Sequence, residues 1–499
     1  VLDAATSEPL PGATVTIKGS TAATSTDIDG KFTIKTERES GSIHVVYIGY
    51  MPATVGFKSG ETLTVSLRED TQMLDEVVAI GYGVQRKSDL TGSVSSVNPD
   101  GLKSLPATNV IAAMQGKVSG VEIVQNSGAP GASNSIRIRG MGTVNDSDPL
   151  YVVDGIMMDN IDHIAVDDIA SIEVLKDAAS AAIYGSRAAN GVVLLTTKSG
   201  EKSSKRLNIS ASIAGGFMKV ANAPDILSPA DFARFSDYVH NANEYTAIAP
   251  DGSMILTDAA QAEVADGNDW WKQATRTGFN GKASVALSGG DKNLNYYVSG
   301  NYLKSNGIVK QSGYERISVN AKINSRLADC LKLGVQAAYS RENRDEVSEG
   351  NRGVIKSAIT YNPLMPVNDL DGGYTYLTPV ENLRRLSYEK NIDKFTGQVK
   401  LDWNIIKSLQ FSTRASYMMT RSDVDRMERN RASEEVIGTN SFVVRKNPIR
   451  TNTFGWDNIL TWMPDFKNDH SLTVMVGQTM EIYRINSLSS SGTGYGGYD

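Results

Sequence analysis

Few residues in this chain have the types and spacing that metal or acid–base chemistry requires. Its histidines and its cysteine are widely separated, and no histidine has a glutamate three residues on; the set is His44, His163, His240, His470 and Cys330. Catalytic zinc sites need clustered His and Glu ligands, so this pattern does not predict one. A single cysteine excludes an intrachain disulfide and a multi-cysteine metal site. We therefore predict no metal, no cofactor and no catalytic residues.

Two short motifs begin like ligand-binding loops but lack a required residue. Asp27-x-Asp29-Gly30 starts like a calcium loop, yet its twelfth position is Arg38 rather than a bidentate glutamate, and we interpret it as a turn. Gly81-x-Gly83 lacks the third glycine and the βαβ context of a dinucleotide fingerprint. No Ser/His/Asp order or paired-carboxylate motif stands out either, so an enzyme is the least supported class of function.

The chemistry that the sequence does support is electrostatic, because charged residues alternate with apolar ones in short predicted strands. Over residues 136–139 two isoleucines alternate with Arg137 and Arg139. A strand here would place both guanidinium groups on one face. Glu173 stands in the same way between two apolar neighbours. These segments therefore place charges on strand faces, although an ordinary soluble domain with solvated charges remains the alternative for each segment taken alone.

The elements that position these charges form a small predicted α+β unit. Leu150 begins a short apolar strand that Asp154-Gly155 stops, since glycine accepts the positive φ of a tight turn. An alternating strand, an alanine-rich helical turn ending at Tyr184-Gly185 and a buried β-branched strand follow, over residues 169–175, 177–182 and 191–197.

In this order and spacing, three segments resemble the plug domain of TonB-dependent outer-membrane transporters, specifically the SusC/RagA-like nutrient importers: SIRIRGMGT, PLYVVDG and IASIEVLKDAASAAIYGSRAANGVVLLTTKSG. The resemblance covers essentially the whole chain and implies a plug over residues 91–200. It implies that charged plug side chains lie at or near the barrel wall, namely Arg137, Arg139, Asp154, Glu173, Lys176 and Arg187. In a wet lumen each such pair contributes only about 0–1 kcal/mol.

Residues 1–68 predict a small all-β module. Pro11-Gly12, Asp29-Gly30 and Ser59-Gly60 separate short apolar runs, as in a compact β-sandwich; the runs are residues 13–17, 32–34, 43–48 and 63–67. The segments EPLPGATVTIKG, TDIDGKFTI and VVYIGY are similar to the carboxypeptidase-regulatory-like domain that precedes the plug in many SusC-like proteins. No clustered His and Glu accompanies them, so the name of that domain implies no enzymatic activity here.

Residues 69–90 form a predicted linker that contains a candidate TonB box. A short apolar run flanked by acids can add as a strand to the edge of a partner's sheet. The family marks its TonB box with LDEVV and GYG, and the matching residues are Asp75, Glu76, Val77, Val78, Ala79, Ile80, Gly81 and Tyr82. A plain linker is the alternative for the same residues.

After residue 200 the sequence changes to long segments that alternate strictly between apolar and polar residues. Nine such strands are predicted, at residues 205–218, 281–288, 294–305, 315–326, 330–342, 395–406, 408–420, 451–463 and 470–486. Tyr and Trp near strand ends, long connections such as residues 340–394 and short turns between the rest are typical of a transmembrane barrel. The family closes its barrel with 22 strands, so residues 201–499 are expected to form the N-terminal portion of it and roughly 13 more strands are expected beyond them.

The predicted fold class is therefore β-rich, with a small β-sandwich, an α+β plug and part of an antiparallel transmembrane barrel. A net charge of -6 argues against a nucleic-acid partner. By resemblance the chain imports oligosaccharides or oligopeptides through the outer membrane of a Gram-negative bacterium, with TonB and ExbB–ExbD, a SusD-like lipoprotein and outer-membrane lipid as partners and the N-terminal domain and TonB box in the periplasm. A passive porin would lack both plug and TonB box, and a glycan-binding adhesin would leave the plug motifs unexplained.

Overall fold

The chain is seen in a computed structural model that describes residues 1–4, 8–17, 23–36, 39–47, 50, 52–67, 77–80, 83–86, 94–97, 99–103, 108–140, 142–143, 147–200, 207–250, 253–350, 353–365, 378–429, 441–464, 466 and 472–495. These residues form two compact units, Val1–Val94 and Ser95–Asp499. The helices among them include none that is long and apolar enough to cross a membrane.

The N-terminal unit is a small β domain. Its strands are β1 (Leu2–Asp3), β2 (Thr14–Ile17), β3 (Ala23–Ser25), β4 (Ser40–Val46), β5 (Ala53–Lys58) and β6 (Ser66–Leu67). An antiparallel sheet has the order β3-β2-β4-β5, and β1 pairs in parallel with β6. Alternate residues of β2 and β4 fill the core, among them Val15, Ile43 and Val45. Residues 32–34, predicted as a strand, instead pack Phe32 and Ile34 against this core without strand pairing.

A short hairpin follows in the chain. Its strands β7 (Val77–Ile80) and β8 (Gly83–Arg86) are antiparallel, with Val77 opposite Arg86 and Ile80 opposite Gly83. Only two residues separate the strands, the shortest common hairpin connection. The predicted TonB-box segment therefore has its central four residues in a strand that already has one partner.

An α+β domain occupies residues 94–197. Its elements are β9 (Val94–Val97), α1 (Asp100–Lys103), α2 (Val110–Met114), β10 (Val121–Gln125), β11 (Asn134–Ile138), β12 (Leu150–Val153), β13 (Ile156–Met158), β14 (Ile169–Leu175), α3 (Ala178–Ala181) and β15 (Val192–Thr197). Five strands form a sheet of order β13-β12-β15-β14-β9, in which β12 and β15 are parallel, and β10 and β11 form a separate hairpin. Asn109 caps α2 and Asp177 caps α3, each by accepting from a backbone N–H three residues on.

One hydrophobic core holds this domain together. It joins α2 to both sheets through side chains that are at most a few per cent exposed, such as Met114, Ile136, Ile172 and Leu195. The alternation in β14 places Ile172 and Val174 in this core and directs Glu173, which is also buried, to the opposite face.

The rest of the chain forms a large antiparallel sheet. Its strands are β16 (Asn208–Met218), β19 (Gly278–Gly290), β20 (Leu294–Asn306), β21 (Gly313–Ala328), β22 (Leu331–Glu346), β23 (Leu386–Ile406), β24 (Leu409–Arg429), β25 (Ser441–Lys446), β26 (Ile449–Trp462), β27 (Val474–Ser487) and β28 (Ser490–Tyr495). Consecutive strands pair in chain order from β19 to β24, which is the order of a meander. The numbers β17 (Thr246–Ile248) and β18 (Met254–Leu256) belong to a small hairpin outside it.

The structure contains the nine predicted long strands, but two of them are interrupted. β24 pairs with β26 up to Ile449 and then with β25 beyond Asn447-Pro448, so β25 and β26 lie along one line. Opposite them β28 and β27 are separated in the same way by residues 488–489. Proline cannot donate to a ladder and therefore marks the break.

The connections at the two ends of the strands differ in length. Residues 291–293, 329–330 and 407–408 form tight turns at one end, whereas residues 219–277 and 347–385 are long connections at the other. The predicted loop at residues 340–394 is shorter than expected, because β22 extends to Glu346 and β23 begins at Leu386. Polar residues along these strand ends are compatible with strands that continue beyond an apolar zone.

The long connections contain helices. They are α4 (Pro229–His240), α5 (Asp258–Ala265), α6 (Trp270–Ala274), α7 (Val354–Thr360) and α8 (Pro379–Arg385). The last three share a small core formed by Trp270, Ala274, Val354, Ala358 and Leu383. The Trp270 Nε1–H also donates to the Asn362 carbonyl at 3.0 Å. These connections are therefore packed structures at the end of the sheet.

Candidate functional site

The α+β domain lies against one face of the large sheet, and the polar side chains between them form the candidate site, here called the polar seam. Its members on the α+β domain are Asp154, Asp162, His163, Asp168, Arg187 and Thr197, and its members on the sheet are Tyr297, Asn301, Arg316, Lys322, Gln336, Lys394 and Glu481. Alternation along each strand directs these sheet residues to the inner face.

Asp154 makes the most complete set of contacts in the seam. Its Oδ1 accepts from Lys322 Nζ at 2.8 Å and from the Thr197 N–H at 3.1 Å. Its Oδ2 accepts from Gln336 Nε2 at 2.8 Å and from the Thr197 hydroxyl at 2.6 Å. Lys322 and Gln336 stand opposite each other on β21 and β22. A carboxylate that is 6 % exposed thus has all its strong acceptor positions filled, which a buried charge requires.

Asp168 makes a second buried contact one strand further along the sheet. Tyr297 Oη donates to its Oδ1 at 2.9 Å and Asn301 Nδ2 to its Oδ2 at 2.8 Å, both from β20. Burial is the main effect on this carboxyl and raises the pKa of Asp168, although both hydrogen bonds act in the opposite direction. Lys198 Nζ donates to the neighbouring Asp167 carbonyl at 2.5 Å and keeps the backbone next to the site in place.

A third contact joins residues 160–163 to β21 and β23. Lys394 Nζ donates to Asn160 Oδ1 at 3.1 Å and lies 3.4 Å from His163 Nδ1, while an Arg316 guanidinium donates to the Asp162 carbonyl. The His163 ring keeps some access to a cavity but is otherwise surrounded by protein. Burial first, and then the charges of Lys394 and Arg316, lower the pKa of His163 well below its ordinary value.

A fourth contact is more open. Arg187 Nη1 lies 3.2 Å from each Glu481 carboxylate oxygen on β27, and Nη2 lies 3.7 Å from Asp159. The Arg187 and Glu481 side chains are 44 % and 39 % exposed. They border a cavity of about 280 Å³ that also contacts Met158, Lys394 and Tyr483. This side of the seam is therefore accessible to water.

Two glycines allow the α+β domain to approach the sheet. Gly155 has φ +88°, and a Cβ there would lie 1.9 Å from Arg414 Nη1, whose guanidinium Asp457 holds through Nε at 2.9 Å. Gly131 has φ +72°, and a Cβ there would lie 2.3 Å from the buried Tyr314 ring. Only glycine satisfies both the positive φ and the close approach at these positions.

Comparison with known proteins identifies the parts of this assembly. A model of the TonB-dependent Receptor Plug Domain matches residues 86–192, and a CarboxypepD_reg-like domain model matches residues 1–79. The TonB-dependent receptor SusC of Bacteroides thetaiotaomicron is 33 % identical over 491 residues, which cover 91 % of this chain and 46 % of SusC. The chain is a SusC/RagA-like member of the TonB-dependent transporter family.

Two further relatives agree with this assignment. TonB-dependent receptor P26 of Formosa agariphila is 35 % identical over 493 residues, covering 95 % of this chain and 48 % of its own length. A solved structure of the RagAB peptide importer in the open-open state shares the fold, with a TM-score of 0.70, 24 % identity and coverage of 84 % of this chain and 50 % of that one. This chain spans about half the length of the curated relatives it matches. Those relatives are receptors of the TonB-dependent class and not enzymes.

The α+β domain is thus the plug, and the large sheet is part of the barrel wall. Of the six plug residues predicted at the wall, the structure places Asp154 and Arg187 in direct contact with wall side chains. Lys176 instead donates to Ser119 within the plug. Glu173 is buried in the plug sheet.

Arg137 and Arg139 do not share a strand face. Strand β11 ends at Ile138, and Arg139 adopts a left-handed conformation with φ +58° and is exposed. The Ile-Arg alternation predicted one more strand residue than the chain forms, because Gly140, with φ +93°, continues a turn there. Arg137 is half-buried opposite Glu122 of β10, and its Nε is buried without a hydrogen-bond partner among the described residues.

Of the predicted TonB box, the structure describes the backbone of β7 alone. Asp75, Glu76, Gly81 and Tyr82 lie outside the described residues. In the part of the chain that the structure describes, no group of three or more His, Cys, Asp or Glu side chains is arranged to hold a metal ion.

The sequence interpretation missed most wall partners of the plug, including Tyr297, Asn301, Lys322, Gln336 and Lys394. A signal was present, because Lys322 and Gln336 occupy the polar face of strongly alternating strands. Alternation identifies the inner face but not the level along the strand at which the plug makes contact.

Proposed function

We propose that this chain supplies the plug and the first part of the barrel wall of an outer-membrane importer of nutrient oligomers, driven by TonB with ExbB–ExbD. The observation that carries the proposal is the plug seated on the wall through Asp154 and Asp168. A plug held by polar contacts closes a pore and can still be displaced, whereas a packed apolar interface would resemble a permanent domain core. Oligosaccharides and oligopeptides both remain candidate cargo, and the RagAB relative is described as a peptide importer.

The proposed domain limits are residues 1–68 for the β domain, 69–90 for the linker, 91–200 for the plug and 201–499 for the wall, as part of a 22-stranded barrel. Short turns of outer-membrane barrels face the periplasm and long connections face outward. By this rule, the turn at residues 407–408 would lie on the periplasmic side of the membrane and the connection at residues 347–385 on the extracellular side. The β domain and the TonB box are then periplasmic.

A SusD-like lipoprotein is the proposed partner on the outer side. The connection between β16 and β19 exposes several large apolar side chains, namely Phe235, Tyr238, Val239, Ile248 and Ile255, which are 48–77 % exposed. Grouped exposed apolar residues are typical of protein interaction surfaces. A lid bound here would cover the outer opening of the barrel.

The TonB box is proposed to be the segment that TonB pulls. Strand addition depends mainly on backbone hydrogen bonds, and β7 retains one edge that β8 does not occupy. Because β7 precedes β9, the edge strand of the plug sheet, along the chain, force applied to β7 is expected to act on the plug. Among the plug charges expected at or near the wall, Asp154 and Arg187 are the ones proposed to hold it directly.

The test compares two substitutions in the full-length protein in its native outer membrane. Val78→Pro removes a donor and restricts the extended backbone, so uptake of the cognate nutrient should fall at least tenfold while surface binding persists. Val77→Ile keeps every backbone group and should transport at the wild-type rate. Uptake by Val78→Pro at the wild-type rate would assign the segment to a plain linker. Energy-independent retention of nutrient without internalisation would favour the alternative function, a surface glycan-binding adhesin.

A further inference from the structure

The outer face of the barrel wall carries arginines at one level of three neighbouring strands. Arg421 on β24, Arg450 on β26 and Arg484 on β27 point away from the plug, because Met418, Asp457 and Glu481 on the same strands point toward it and alternation fixes the rest. Arg421 stands directly opposite Arg450. Arg484 faces Asn452, two residues beyond Arg450 on β26, and is therefore a diagonal neighbour of Arg450. Such neighbours have Cβ atoms about 5 Å and about 7–8 Å apart. We call these three residues the arginine triad.

The protein neutralises the triad only in part. Arg421 contacts Asp423 at 2.8 Å and stands opposite Asp393, which Arg341 also approaches at 4.0 Å. The structure gives neither Arg450 nor Arg484 an ion pair with any described residue. Their immediate outward neighbours on β26 and β27 are the neutral Asn452 and Asn486. Like charges placed opposite each other destabilise a sheet, and a bound anion would offset this repulsion.

The triad lies where a membrane surface is expected. Between Arg450 and Trp462 the outward residues of β26 include Phe454, Trp456 and Leu460, each about 40 % exposed. Twelve positions separate Arg450 from Trp462. At about 3.4 Å each and a tilt of about 40°, they span about 31 Å along the membrane normal. That distance matches a hydrocarbon core of about 30 Å, so the guanidinium groups reach the headgroup level.

We propose that Arg421, Arg450 and Arg484 bind the phosphate group of a lipid headgroup in the outer leaflet. Guanidinium groups match phosphate oxygens with paired N–H donors, and the apolar residues below the triad accommodate the acyl chains. The surface faces lipid and has a net positive charge beside an apolar belt, which excludes a neutral headgroup as the preferred occupant. This inference rests on the membrane placement in the proposed function.

The test uses full-length protein purified from the outer-membrane fraction in neutral detergent. Native mass spectrometry measures retention of phosphatidic acid, with diacylglycerol of the same acyl chains and inorganic phosphate as separate probes. The test variant is Arg450→Gln with Arg484→Gln. The matched control is Lys304→Gln with Arg341→Gln, which removes two positive charges from the outward face of β20 and β22.

Wild type and control should retain phosphatidic acid within about twofold of each other, and the test variant should bind it at least about tenfold more weakly. Diacylglycerol should bind weakly to all three proteins. Equal retention by the test variant and wild type, or equal losses in test and control, would overturn the lipid site. Displacement by millimolar inorganic phosphate would reassign the triad to a free anion. Absence of the protein from the outer-membrane fraction would overturn the proposed function as well, whereas recovery there with unchanged lipid retention overturns this inference alone.

Discussion

The plug contacts the barrel wall differently on its two sides. Toward β20–β22, the anchor side, Asp154 and Asp168 are buried and bonded directly to wall side chains. Toward β27, the cavity side, Arg187 and Glu481 form a pair that is about 40 % exposed beside a cavity of about 280 Å³. Charged side chains of the plug therefore lie in two different environments within one interface, one buried and one accessible to water.

The difference in environment sets the strength of each contact. When one partner of a buried pair is removed, the other is left as an uncompensated charge, at a cost of about 3–5 kcal/mol. An exposed pair is screened by water and salt and contributes about 0–1 kcal/mol. The anchor side therefore fixes where the plug sits, while the cavity side can separate and re-form with little change in free energy.

Loss of Lys322 tests the anchor side and has the largest expected effect. Lys322→Met should lower the free energy of local opening of the plug by about 3–5 kcal/mol, because the Asp154 carboxylate stays buried without its cation. Hydrogen exchange of the amides in β12 and β15, measured on the full-length protein, reports this free energy.

Asp154→Asn combined with Lys322→Met supplies the matched control. This double variant removes both charges, so it should recover a large part of the lost protection. A loss below about 1 kcal/mol for Lys322→Met would place the anchor side in the same class as the cavity side.

Acid provides the second test, through His163 between the two sides. Its folded pKa is lowered and its unfolded value is 6.5, so the seated plug binds fewer protons than the released plug below pH 6.5. The contribution of His163 to the stability of the seated plug is therefore constant above pH 6.5. It falls as the pH decreases below 6.5, by at most about 1.4 kcal/mol per pH unit. In wild type, the protease sensitivity of residues 156–168 should rise as the pH is lowered from 7.5 to 5.

His163→Gln removes this titration, and its protease sensitivity should change much less over the same range. Asp168 contributes with the opposite sign, since its raised pKa favours the seated plug at lower pH. Identical pH profiles for wild type and His163→Gln would mean that His163 binds protons equally in the seated and the released plug, which contradicts the lowering of its pKa by burial beside Lys394 and Arg316.

The fold could be predicted from sequence wherever a periodic pattern was long. Nine alternating segments indicated nine long strands, and their faces agree with the inward Lys322 and outward Val319 of β21. Short segments were less informative. The pattern at residues 32–34 is apolar because Phe32 and Ile34 pack on a core, not because they pair as a strand, and Arg139 departs from alternation at a turn that the following glycine permits.

The polar seam could be predicted only in part. Asp154 was identifiable because a charged residue beside a turn glycine ends an otherwise apolar strand. Its partners were not, since Lys322 and Gln336 are more than 160 residues away in the chain and only the register of β21 with β22 brings them together. Local patterns contain no information about such long-range contacts.

The smallest expected effect belongs to the cavity side and decides whether the comparison holds. A double-mutant cycle of Arg187→Gln and Glu481→Gln should give a coupling energy of at most about 1 kcal/mol at 0.05 M salt. The coupling energy is measured from the hydrogen-exchange protection of the amides of residues 182–188.

At 1 M salt the Debye length is about 3 Å, so this coupling should disappear. The same cycle on Asp154 and Lys322 should retain most of its coupling, because buried charges are screened much less. The contact between Arg187 and Asp159 is lost in both species that carry Arg187→Gln, so it cancels in the coupling energy. A salt-insensitive coupling above about 2 kcal/mol at Arg187 would mean that the plug is anchored on both sides, and its displacement would then require force to break buried contacts on both sides rather than on one.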